Sequence, residues 1–178
     1  MKIKNGVISL ALSGMFLGLA FVLPFLTGQI PQIGSMLCPM HIPVILCGYI
    51  CGAPWGLAVG FIAPLLRSAI LGMPVLFPTA VSMAFELAAY GFLSGILYRK
   101  LKKSKGNIYL SLFLSMLFGR LVWGLVQFIC LGFDTSGFTF TAFYTGAFTK
   151  ALPGIAIQLI FIPVLVMVYE KKLRHLLR

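Results

Sequence analysis

From Val7 to Leu26 the chain runs without one charged side chain. Wound as a helix at about 1.5 Å per residue, that stretch reaches about 30 Å, the thickness of a bilayer's hydrocarbon core. Similar apolar stretches fill most of the remaining chain. Of its 178 residues 60% are hydrophobic and 10% charged, with a mean hydropathy of +1.04, where soluble domains carry about 25% charged residues. A water-soluble core could not absorb so much apolar surface, so the solvent is lipid. At roughly 20 residues per span the length allows about six helices and no separate soluble domain. The fold class read from this is an all-α integral membrane protein, a single bundle of six transmembrane helices forming one domain over 1–178.

The net charge of +11 would suggest nucleic acid in a soluble protein, but the placement of the charges argues otherwise. Lys2 and Lys4 open the chain. Arg99, Lys100, Lys102, Lys103 and Lys105 share one short loop, and Lys171, Lys172, Arg174 and Arg178 form the tail. These clusters hold 11 of the 14 basic residues. Basic residues flanking spans mark the cytoplasmic side, so both termini and the 99–105 loop fall inside. The loops 27–40, 72–77 and 133–146 fall outside and contain no Lys or Arg. Lipid, not nucleic acid, is the partner this pattern implies. The stretch 7–26 is read as the first span rather than a signal peptide, because no small-x-small cleavage site follows it.

The spans expected are Val7–Leu26, two short ones within 41–71 separated by "CGAPWG", Pro78–Tyr98, Ile108–Leu131 and Ala147–Tyr169. Pro54 and Gly56 break the second from the third. Four charges remain inside spans: Arg67, Glu86, Arg120 and Lys150. A charge at that depth needs a partner, a wet cavity or a ligand. Three cations against one carboxylate leave an excess that an anionic ligand could cancel. Internal ion pairs fixing helix register are the plainer alternative, and snorkelling could satisfy Arg67 and Lys150. On sequence, Arg67 is expected near the outer end of the third span, within reach of Glu86 across a short loop.

Neighbouring residues favour a pocket. Arg120, Trp123, Gly124 and Gln127 share one helix face by their i, i+3, i+4, i+7 spacing. Lys150, Gly154 and Gln158 repeat every four residues, as do Ser82, Glu86 and Tyr90. Polar stripes with aromatics and a close-approach glycine suit a small organic molecule, although similar residues also join helices. The candidate substrate contacts are Arg120, Glu86, Arg67, Gln127, Trp123, Lys150, Gln158 and Tyr90. The first span differs. Ala11, Gly14 and Gly18 give it a smooth face suited to close helix contact, either with another protein or within the bundle.

Catalysis finds little support. No G-x-x-x-x-G-K-[ST], H-E-x-x-H or G-x-S-x-G occurs, so the chain lacks a P-loop and the common hydrolase motifs. Cys38, Cys47, Cys51 and Cys130 lack the even spacing of a disulfide framework, and buried free thiols are the better reading than a metal site. No cofactor and no metal is expected.

Three stretches, "PMHIPVILCGYICGAPWGLAVGFIAPLLRSAILGMP", "FPTAVSMAFELAAYGFLSGILY" and "GRLVWGLVQ", resemble the substrate-binding S components of energy-coupling factor (ECF) vitamin transporters. The likeness covers most of the chain. It implies a six-helix bundle with both termini cytoplasmic, in a bacterial cell membrane. It also implies a substrate site near the outer face under a lid formed by the 27–40 loop, with Gln32, Met40 and His41 as lid residues. The partners implied are a transmembrane coupling protein and two ATPases encoded elsewhere. Family members commonly carry alanine-xxx-alanine on the first helix for contact with the coupling protein. Here Ala11 is followed by Met15, so Ala11, Gly14 and Gly18 take that place. Within the family the sequence looks closest to members assigned to pantothenate, and the cationic excess agrees with a small anionic vitamin. The competing reading is a stand-alone secondary transporter or channel for a small organic anion, with Glu86 carrying protons. No internal repeat is visible to support it.

Overall fold

Two residues decide how the apolar run 41–71 is divided. Gly52 has φ +106°, a left-handed conformation that side chains other than hydrogen rarely adopt, and Pro54 follows within the first turn of the next helix. The run therefore folds as α2, His41–Ile50, and α3, Ala53–Leu71. The structure, a computed structural model, describes residues 6–27, 37–101, 104–131, 145 and 151–173. Its other helices are α1, Gly6–Val22, continued by a 3-10 turn over Leu23–Thr27, α4, Val81–Lys100, α5, Lys105–Leu131, and α6, Leu152–Val168. A wide turn, Leu76–Ala80, leads into α4, and another, Tyr169–Leu173, follows α6.

Five of the six are long and apolar enough to cross a membrane. The exception is α2, whose ten residues reach only about 15 Å. It sits in the middle, with His41 and every residue from Pro43 to Tyr49 buried. Its residues feed both apolar clusters: Ile45, Leu46 and Tyr49 pack with Tyr90, Leu112 and Ile162, and Val44 and Cys47 pack with Ala20, Met40, Val59 and Leu87.

The partition of side chains is that of a protein dissolved in lipid. The surface carries Leu121, Leu125 and Ile129 on α5, Ile160 and Phe161 on α6, and Val7, Leu10 and Met15 on α1. Inside lie Ser9, Ser13, Ser82, Ser94, Ser111 and Ser115, together with Arg67, Glu86, Arg120, Gln127 and Gln158. The serine hydroxyls bond mostly to carbonyls of their own helix, as Ser13 does to Ser9 (2.7 Å) and Ser115 to Ser111 (2.6 Å). That spares each a partner elsewhere in a medium without water.

Small residues set the helix spacing. A Cβ placed on Gly91 of α4 would lie 2.2 Å from the carbonyl oxygen of Gly56 on α3, and one on Gly60 would lie 2.3 Å from that of Leu87. The α3 and α4 backbones thus touch directly, which only glycine permits. These contacts also define the register. Opposed residues of this antiparallel pair have numbers that sum to 147.

The two ends are tied differently. At one, Arg67 Nη1 donates to the Phe21 carbonyl (2.7 Å), and its guanidinium lies 6.0 Å and 5.2 Å from the ring centres of Phe21 and Phe25. At the other, Arg99 Nη2 donates to the Cys51 carbonyl (3.2 Å) at the end of α2. There too Tyr98 donates to Glu170 Oε1 (2.5 Å), while Tyr49 pairs with Ser111 (2.8 Å). The basic cluster 99–105 marks this second end as the inner one.

Candidate functional site

The polar interior converges in the outer half of the bundle, and Glu86 is its anchor. On α4, Glu86 and Tyr90 are one turn apart, and the Tyr90 hydroxyl donates to Glu86 Oε1 (3.1 Å). Arg120 of α5 reaches the same oxygen through Nη1 (3.0 Å). His41, the first residue of α2, brings Nε2 to 3.6 Å from it and sets its ring 5.2 Å from that of Tyr90. Both charges are sequestered, Glu86 at 1% exposure and Arg120 at 7%. A pair so far from water persists only when well matched, because each ion costs several kcal/mol to desolvate. Gly119 makes room for this arrangement: a Cβ there would lie 2.6 Å from the Tyr90 ring.

Cys38 closes the cluster from above. Its φ of +48° is unusual for a residue with a side chain, and it directs two acceptors inward. The thiol sulfur accepts from Arg120 Nη2 (3.5 Å), and the carbonyl accepts from Gln158 Nε2 of α6 (3.5 Å). Residues from α2, α4, α5 and α6 therefore meet within a few ångströms.

The cluster is not internally complete. Arg120 Nε, Gln127 Oε1, Gln158 Oε1 and His41 Nδ1 are buried without a hydrogen-bond partner among the described residues, and His41 Nε2 has the 3.6 Å approach to Glu86 in place of a full hydrogen bond. An unmet buried donor or acceptor costs about 1–3 kcal/mol. Several of them around one ion pair are what a site awaiting a polar ligand presents.

The sequence candidates divide into three groups. Arg120, Glu86, Tyr90 and Gln158 are brought together, and Gln127 lies on the same buried face of α5 as Arg120, with Trp123 half-buried beside that face. Arg67 is placed elsewhere. By the α3–α4 register it stands opposite Ala80, six residues up from Glu86, or about 9 Å along the axis. It turns to the end of α1, so the expected Arg67–Glu86 pair does not form. Lys150 and Gln32 lie outside the described residues. Of the other two expected lid residues, Met40 packs in the apolar core and His41 joins the Glu86 cluster. Cys38 was not among the candidates, and its only sequence signal was proximity to His41.

Ala11, Gly14 and Gly18 of α1 are exposed, and a Cβ on either glycine would meet nothing within 4 Å. The face is open, because α1 packs inward through Ser9, Ser13 and Ala20.

A family model described as "ECF transporter, substrate-specific component" matches residues 9–166. The chain belongs to that family. The S component is accordingly an all-α, multi-pass membrane protein, and the match runs from α1 into α6. No curated protein and no solved structure matches it.

Proposed function

We propose that this S component captures a small anionic vitamin, with pantothenate the best match, at the outer face of a bacterial cell membrane, and hands it inward through a coupling protein driven by two ATPases. The observation that carries the reading is the unfinished polar cluster around Arg120 and Glu86. Arg120 spends Nη1 on Glu86 and Nη2 on Cys38, leaving Nε–H for an acceptor such as a ligand carboxylate. Glu86 holds the guanidinium in place, and the family's role as a transporter component gives the cluster a purpose. The sequence carries no P-loop, which agrees with energy supplied by another chain. The open Ala11, Gly14 and Gly18 face is suited to a helix of the coupling protein, since close approach of small residues drives association in lipid. A proton-carrying role for Glu86 has less support, because the carboxylate is tied to a guanidinium rather than free to titrate alone.

The test is co-expression with a tagged coupling protein and its ATPases, followed by titration of the purified S component with pantothenate. Recovery of a four-chain complex and saturable binding lost in Arg120→Ala are the expected results. Wild-type affinity in Arg120→Ala would remove Arg120 from the site.

A further inference from the structure

The unmet atoms of the site are not all alike, and their polarity specifies what a ligand must bring. Arg120 Nε is a donor and asks for an acceptor. Gln158 Oε1 is an acceptor, 1% exposed as a residue and without a partner among the described residues. The orientation of that amide is fixed by chemistry. Its other terminus faces the Cys38 carbonyl at 3.5 Å, and a carbonyl only accepts, so the NH2 group must occupy that side. The oxygen is left facing away from Cys38 with nothing to receive. Arg120 and Gln158 meet on the same residue, one at the Cys38 sulfur and the other at its carbonyl oxygen. Their unmet atoms therefore lie within the reach of one small molecule. About two turns further along α5, Gln127 Oε1 is another buried acceptor without a partner among the described residues. The charge balance points the same way. Glu86 already offsets Arg120, and Arg67 is engaged at the end of α1, away from the cluster, so the charge of Arg120 alone does not define the ligand.

We infer that Gln158 is a specificity residue that reads a hydrogen-bond donor on the substrate, a hydroxyl or an amide N–H, alongside the acceptor group met by Arg120. This rests on the reading of the chain as a vitamin-binding S component and narrows the class: donor-free carboxylates are excluded and hydroxy- or amide-bearing acids are admitted. Physically, a ligand without the donor would bury Gln158 Oε1 against apolar atoms and leave it unsatisfied. Sites built around such a group reject the lacking analogue by large factors, on the order of 100-fold or more.

The experiment titrates the purified wild-type protein and Gln158→Leu with two sets of probes. Pantothenate, pyridoxine, riboflavin and biotin carry O–H or N–H donors; nicotinate and lipoate carry a carboxylate and none. The tightest wild-type binder is expected in the first set, at least about 100-fold above either member of the second. Gln158→Leu is expected to erase that margin while leaving the weak binding of nicotinate and lipoate unchanged. An equal loss for both sets would mean that Gln158 only supports the fold, which overturns the inference. So would a donor-free probe binding as tightly as any other, or no binding by any donor-bearing probe. The wild-type comparison holds even if Gln158→Leu fails to fold. If instead the complex with the coupling protein does not assemble, the transporter reading falls, and the Gln158 contrast is still decided by the titrations.

Discussion

Two glycine pairs in this protein share the same four-residue spacing and meet opposite fates. Gly56 and Gly60 of α3 lie against α4, with backbone oxygens little more than 2 Å from where a Cβ would stand. Gly14 and Gly18 of α1 have nothing within 4 Å. In lipid there is no water to expel, so helices join where their surfaces allow close contact. A glycine pair already closed is spent on the fold, and one left open is available to another chain. Spacing alone does not distinguish the two; the register of the neighbouring helix does.

That contrast can be broken most severely from the closed side. Gly91→Leu would drive a branched side chain into the Gly56 backbone, which cannot give way as a flexible side chain would. We expect a loss of more than about 3 kcal/mol, read as failure to recover monodisperse protein in detergent. Normal yield and melting would mean that the α3–α4 contact is not a fixed seam.

Next in size is the ion pair just beyond that seam. Arg120→Ala strands Glu86 in the bundle and should cost about 3–5 kcal/mol. Adding Glu86→Gln should restore much of the thermal stability without restoring ligand binding. If the double variant is no more stable than the single one, the stranded carboxylate is not the cause.

On the open side the expected stability change is small. Gly14→Leu should leave the melting temperature unchanged or slightly raised, because glycine is a poor helix former and the new side chain meets only lipid. Ligand affinity of the isolated subunit should also hold, while recovery of the coupling protein in a pull-down collapses. A fall in melting of more than a few degrees would place this face inside the bundle and end the contrast.

The smallest effect is an absence of coupling. Among the described residues Arg67 and Glu86 share no partner, so Arg67→Ala and Glu86→Gln should add in stability within about 0.5 kcal/mol. A larger interaction energy would revive the pairing expected from sequence.

Much of the architecture was legible because lipid imposes a simple rule. The basic cluster at 99–105 separates α4 from α5 and that at 171–178 follows α6. Four long apolar helices lie close to where the hydropathy put them; of the two short spans expected within 41–71, α2 is short and α3 reaches 19 residues. Arg120 and Glu86 could be linked because Glu86 is the one acid in the spans, and the face of Arg120, Gly124 and Gln127 follows from helical spacing. What stayed hidden depended on backbone geometry. Arg67 found the carbonyl of Phe21, and a main-chain oxygen has no signature in a sequence. His41 reaches Glu86 because α2 is short and starts deep in the bundle. Cys38 contributes through a left-handed backbone and two acceptor atoms, which its residue type does not announce. The α3–α4 register, which separates Arg67 from Glu86, is set by which glycines happen to oppose.

The glycine seam between α3 and α4 also limits how the molecule can deform. Two helices that touch main chain to main chain have no side-chain layer to shear. Sliding one past the other would carry Gly56 and Gly60 away from the backbones of Gly91 and Leu87 and bring residues with a Cβ into a gap where none fits. The pair therefore behaves as one stiff plank that carries Glu86 and Tyr90 without altering their height. The helix α1 meets the plank through longer side chains, among them Leu12, Phe16 and Leu17, and through Arg67 near its outer end. The half of the site that α4 provides is thus carried with α3 as a rigid body, to which the helix bearing the open face is joined through side chains.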